Sequence, residues 1–126
     1  MPKPALKPEG RLHIHRTVSD MKRAIDFYVT VLGFYYDHGV KDMAWLTHGP
    51  VLLTISPGEP VLDLGSYFGW VAESVEELEQ WYEQLHRRFV RLSAPPDPAG
   101  GRYYFFTYDP DDYPIAFSYQ ELEQEQ

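Results

Sequence analysis

Residues 12–34, LHIHRTVSDMKRAIDFYVTVLGF, return in altered form 54 positions later, at residues 66–88. Asp20 then falls on Ser74, Phe27 on Trp81, Tyr28 on Tyr82 and Val31 on Leu85. An alternating strand pattern precedes the aromatic pair in both copies, so the repeated object is a supersecondary unit. Two copies are too few for a solenoid, and the expectation is one pseudo-symmetric domain over residues 1–126. The same superposition places Tyr67 where the first copy has His13.

Leu12, Ile14 and Val18 share one face of the first strand, which puts His13, His15 and Thr17 on the other. Ser19 or Asp20 offers a helix N-cap, and Met21, Ala24, Ile25, Tyr28, Val31 and Leu32 follow at helical spacing until Gly33. Residues 34–38, 43–48 and 51–56 read as strands, with a polar turn at 39–42. Residues 57–65, PGEPVLDLG, form the linker between modules of about 11–56 and 66–120. In the second module, residues 67–72 read as a strand, and Ser74 with Glu77 makes a capping box for a helix to about Arg87. Strands at 89–92, 102–108 and 114–119 complete it, leaving a polar tail that frays or forms a helical turn. The order is β-α-β-β-β twice, an α+β architecture in which two curved sheets, each backed by a helix, face one another across a cleft.

Composition narrows the function classes. There is no cysteine, which excludes disulfides and thiolate chemistry. A net charge of −8 disfavours a phosphate backbone as partner, so no nucleic acid is expected, and it favours solubility or attraction of cationic small molecules. No apolar run approaches the roughly 20 residues that span a bilayer. The segment MPKPALKPEG lacks an apolar signal region and reads as a Pro-rich lead-in, so a cytoplasmic location without membrane attachment is expected. Most of the ten Tyr and three Trp are expected in the core, and a surplus of them also suits a pocket that stacks on flat ligands.

The stretch H-I-H-R-T-V-S-D-M-x-x-A-I-D-F-Y-x-x-V-L-G-F resembles the opening of the vicinal oxygen chelate superfamily, and F-F-T-Y-D-P-D-D-Y-P-I-A-F resembles its closing segment. That superfamily includes glyoxalase I, extradiol dioxygenases, fosfomycin resistance proteins and bleomycin resistance proteins. The resemblance implies paired βαβββ modules and, in metal-using members, a divalent ion held by His and Glu on the first and last strands of each module. Carried over residue by residue, the first ligand is His13, its repeat partner is Tyr67, and the closing Glu position is Ala116. The matching position of the first module falls on Leu52 or Leu53. One ligand survives where a catalytic site needs about three, so no cofactor is expected.

These residues resemble the metal-free, bleomycin-resistance-like branch. The implied function is binding and sequestration of a planar aromatic or cationic molecule, antibiotics included, by a homodimer. Tyr67, Tyr104 and Phe106 would stack on it while His13 and His15 supply hydrogen bonds. Alternation puts Tyr104 and Phe106 on one side with Ala116 and Ser118, and Phe105 toward the helix. Trp70 reads as packing, and the side on which Trp45 lies is left open. A second reading is a metal-dependent lyase, isomerase or dioxygenase in which His13 and His15, adjacent on one strand face, gain a third ligand such as His38, His48 or an acid. A third is a scaffold with a vestigial cleft. Asp109, Asp111 and Asp112 read as solvated turn acids, with Asp112 tolerating a left-handed backbone where the family has Gly. The segment G-S-Y-F-G places its Ser one position too early for a nucleophile elbow.

Overall fold

The computed structural model describes residues 5–6, 10–63 and 65–121. Most of the lead-in and all of the tail beyond Glu121 lie outside the described residues. The chain divides into two compact units between Val61 and Leu62, inside the expected linker.

The first unit runs β1 (Leu12–Val18), α1 (Met21–Thr30), β2 (Tyr35–Val40), β3 (Met43–His48) and β4 (Val51–Pro57). Its sheet has the order β1-β4-β3-β2, with β1 parallel to β4 and the other neighbours antiparallel. Asp20 is the N-cap of α1: its carboxylate accepts from the Arg23 backbone N–H at 3.1 Å, satisfying one of the donors that a helix start leaves open. Such a cap contributes about 1 kcal/mol. Gly33 ends the turn at φ 79, and the Phe34 N–H closes back on the Tyr28 carbonyl at 2.9 Å. Val18, Ala24, Tyr28, Phe34, Leu46, Leu53 and Ile55 are buried, and they form the core between helix and sheet. Phe34 belongs to that core rather than to β2, where the sequence pattern had put it.

The second unit runs β5 (Phe68–Val71), α2 (Val75–His86), β6 (Tyr104–Tyr108) and β7 (Pro114–Ser118), with a 3-10 turn at Pro98–Gly100. Ser74 caps α2 by accepting from the Glu77 N–H at 3.1 Å, and the Glu77 carboxylate accepts from the Glu73 N–H at 2.9 Å. The sheet order is β5-β7-β6, and β5 is parallel to β7 as β1 is to β4. Its helix side is aromatic: Phe117 stacks on both Phe105 (5.0 Å between centroids) and Trp70 (5.7 Å), while Trp81 and Tyr82 reach down from α2 to Phe117 and Phe105. Phe105 and Trp70 thus take the packing positions expected of them.

The expected strand at 89–92 is reduced to a single bridge, Leu92 to Thr107. The cause lies at the end of α2, where Phe89 takes a left-handed backbone at φ 57 and is 96% exposed. Other bonds stand in for the missing ladder: the Ser93 backbone N–H donates to the Phe106 carbonyl, the Phe106 N–H donates to the Ser93 hydroxyl, and the Thr107 hydroxyl donates to the Arg91 carbonyl. Arg102 falls outside β6, bridges Asp97 and donates to the Pro95 carbonyl. Among the described residues, no helix is long and apolar enough to cross a membrane.

Candidate functional site

Parallel pairing of β1 with β4 sets Ile14 beside Leu53 on the helix side and His15 beside Thr54 on the open side. The antiparallel pairings carry the row on through Trp45 of β3 to His38 of β2. A second row runs His13, Leu52, Thr47 and Tyr35. The open face of the first unit is therefore a surface of imidazoles, hydroxyls and aromatic rings, whereas its other face is the core.

Thr54 is the hub of this surface. Its Oγ1 lies 2.9 Å from His13 Nε2 and 2.8 Å from His15 Nδ1, and His15 Nε2 lies 3.1 Å from Ser56 Oγ. Both histidines are exposed, yet Thr54 is 4% exposed. Thr54 and Ser56 are absent from the sequence expectations, although a signal exists: T-I-S in β4 repeats the polar-Ile-polar pattern of H-I-H in β1, and its first residue, Thr54, pairs with the last, His15. Further along the row, Trp45 stacks on His38 at 4.3 Å with an interplanar angle of 11°, and His38 Nδ1 lies 2.7 Å from the Asp37 carboxylate. Trp45 is thus placed on the histidine face.

The first-module counterpart of Ala116 needs correction. Ile115 pairs with Phe68 as Leu53 pairs with Ile14, so Ala116, opposite Gly69, corresponds to Thr54, opposite His15. Neither Leu52 nor Leu53 holds that position, because the long-range register rather than local alternation fixes it. Two of the third ligands named for a metal lie apart from His13 and His15. His48 lies on the helix side, its ring 5.2 Å from Phe34. His38 stands three strand spacings from His15, about 14 Å, with Thr54 and Trp45 between them. No Asp or Glu shares the rows of His13 and His15, and no group of three or more His, Cys, Asp or Glu suited to a metal occurs among the described residues. These residues do not fit the family's His and Glu ligand set.

The second unit presents a different open face. Tyr67, just before β5, meets Phe106 edge-on at 5.3 Å, and Phe106 meets Tyr104 at 5.9 Å. Tyr67 is 54% and Tyr104 49% exposed. Phe106 pairs with Ala116 and Tyr104 with Ser118, so these residues share one side as expected. In the row of Phe106 the sheet carries only the small residues Gly69 and Ala116, with Ser118 and Val71 in the row of Tyr104. The result is an aromatic wall next to a low floor.

In the closing turn, Asp109 is buried at 4% exposure rather than solvated, and its Oδ1 accepts from the Asp111 and Tyr113 backbone N–H groups at 2.8 and 3.0 Å. Asp112 has φ 70, the left-handed conformation expected of it, and pairs with Arg91. A groove of about 320 Å³ in the first unit, lined by Met21, Ile25, Tyr36 and Met43 among others, contains none of the candidate site residues.

Two units of one repeated topology, each with a parallel first-to-last strand pair and an open face, define a tandem-module α+β fold. Residues 10–117 match the family model for the Glyoxalase/Bleomycin resistance protein/Dioxygenase superfamily, and the chain belongs to that superfamily. It is 30% identical over 118 residues to a lactoylglutathione lyase of Escherichia coli O157:H7, covering 82% of this chain and 87% of that protein. A probable lactoylglutathione lyase of Synechocystis is 27% identical over 118 residues, covering 82% and 90%. Among solved structures, a glyoxalase/bleomycin resistance protein/dioxygenase from Nocardioides superposes with a TM-score of 0.74 at 16% identity, over 97% of this chain and 93% of that one. The fosfomycin resistance protein FosX of Listeria monocytogenes gives 0.73 at 13% identity, over 93% and 96%. At these identities the structural likeness is one of fold.

Proposed function

We propose that the chain is a metal-independent small-molecule-binding member of this superfamily that sequesters a planar aromatic or cationic compound, of the kind antibiotic-resistance proteins bind. The observation that carries this reading is the wall of Tyr67, Phe106 and Tyr104 over the floor of Gly69 and Ala116. Those rings add nothing to the helix-side core, where Phe105, Phe117 and Trp70 already pack, and half-exposed aromatic faces are suited to stacking. The net charge of −8 favours a cation. Metal independence is supported by the mismatch at Thr54 and Ala116. The reading includes a cytoplasmic homodimer; exposed Tyr35, Val40 and Val71 supply apolar surface for a second copy, and sedimentation tests that part.

The test is a fluorescence titration with a planar cationic dye such as proflavine, on protein purified without a His tag and assayed for metal. Saturable binding that weakens in Phe106→Ala and persists after chelator treatment is expected. Absence of binding by such dyes, or binding indifferent to Phe106→Ala, overturns the reading.

A second reading is a metal-dependent lyase, favoured by the relatives named lactoylglutathione lyase and by His13 matching the family's first ligand. It requires near-stoichiometric metal lost in His13→Ala, together with lyase activity abolished by a chelator.

A further inference from the structure

From the chain His13–Thr54–His15–Ser56 we infer that Thr54 is a positioning residue that locks the two histidines to the same tautomer, so that this face alternates between two complementary hydrogen-bonding states. A hydroxyl has one proton to donate and two lone pairs. Thr54 Oγ1 faces Nε2 of one ring and Nδ1 of the other, 2.9 and 2.8 Å away. At 4% exposure it has little water to fall back on.

With each ring carrying one proton, four arrangements exist. If both rings hold the proton on Nε2, His13 donates to Thr54, Thr54 donates to His15 Nδ1, and His15 Nε2–H donates to Ser56. If both hold it on Nδ1, every bond reverses: Ser56 donates to His15 Nε2, His15 donates to Thr54, and Thr54 donates to His13 Nε2. The two mixed arrangements fail. In one, both rings donate to Thr54 and the hydroxyl proton, buried, has no acceptor among the described residues. In the other, both rings present lone pairs to a hydroxyl with one proton, and one contact becomes repulsive. The common tautomer thus follows from heavy-atom positions and proton counting alone.

The lock couples the ends of the chain. In the first state His13 Nδ1 accepts and the Ser56 hydroxyl is free to donate; in the second His13 Nδ1 donates and Ser56 can only accept. A molecule that presents acceptors to both ends, such as a dicarboxylate, is mismatched in either state. One with an acceptor at His13 and a donor at Ser56, as on an amide-bearing compound, is matched. Applied to a ligand, this rests on the histidine face being part of the binding surface, as proposed above; the tautomer lock does not.

The experiment is long-range ¹H–¹⁵N correlation NMR of the imidazole nitrogens in ligand-free protein at about pH 8.5, where an imidazole ring carries one proton. Wild type is expected to show the two histidines in the same tautomer, or in one shared population ratio. Thr54→Val keeps the shape but removes the hydroxyl, and the two ratios should separate; Thr54→Ser should restore a shared ratio. Backbone amide spectra confirm that each variant is folded. Opposite tautomers in wild type, a doubly protonated ring at that pH, or a shared ratio surviving in Thr54→Val would each overturn the inference. Because no ligand is present, failure to find a binder leaves this result standing.

Discussion

Gly69 on β5 and Ala116 on β7 run so close together that a β-carbon at position 69 would overlap the Ala116 carbonyl. In the first unit the equivalent pair is His15 and Thr54, where both strands carry full side chains that bond to each other. One register position has become a polar hub in one module and a bare contact in the other. Gly69→Ala is expected to destabilise by about 3 kcal/mol, since the obstruction is backbone and cannot rotate aside. Thermal unfolding followed by circular dichroism should drop by roughly 10 °C. An unchanged midpoint would mean that the strands can separate without loss.

Phe89 is an apolar ring left in solvent on a left-handed backbone, a conformation that costs a residue with a β-carbon about 1–2 kcal/mol. It does at the end of α2 what Gly33 does after α1. Phe89→Gly should therefore raise stability by about 1 kcal/mol, whereas Phe89→Ala, which keeps the β-carbon, should give little or none of that gain. Denaturant midpoints of the three proteins decide it, and equal midpoints for Gly and Ala would remove backbone strain as the explanation.

Asp109 is structural. Replacing it with Ala strips the acceptor from the buried Tyr113 N–H and from the Asp111 N–H, at an expected cost of about 2–3 kcal/mol. Both bonds end on the same oxygen, so Asp109→Asn, which retains a carbonyl there, should lose much less. Parallel chemical denaturation of the two variants provides the check, and similar losses would point to the charge instead of the hydrogen bonds.

Tyr67→Ala separates binding from stability. Half of the ring is already in solvent, so the midpoint of unfolding should barely move. An edge-on or stacked aromatic contact is worth about 0.5–1.5 kcal/mol, which puts the loss in dye affinity at roughly two- to twelvefold. A fall in stability with affinity intact would assign Tyr67 to packing.

Local patterns disclosed the scaffold because the forces that shape it are local. Asp20 and Ser74 cap their helices through bonds to residues three positions on, and the spacing of Ala24 and Tyr28 marks the buried stripe without reference to any other element. Alternation likewise separated Phe105 from Phe106. Register is another matter. Which residue of β4 lies beside His15 depends on a pairing 39 positions away in sequence, and Thr54 sits among Leu52, Leu53 and Ile55 as if it were one more apolar strand residue. Trp45 shares that difficulty, since its parity is plain but its side is set only by the β3–β4 ladder. The apolar alternation of residues 89–92 misleads for the opposite reason: the pattern suits a strand, but the exit from α2 spends Phe89 on a left-handed turn.

The paired caps carry a longer consequence. Asp20 and Ser74 accept the same bond at the same point of each copy, while the open faces around them have diverged into imidazoles and hydroxyls on one side and phenyl rings on the other. Ancestry in this chain is written in its joints, where a change costs folding. Matching the two copies by the chemistry of their open faces would therefore miss a kinship that their helix caps make plain.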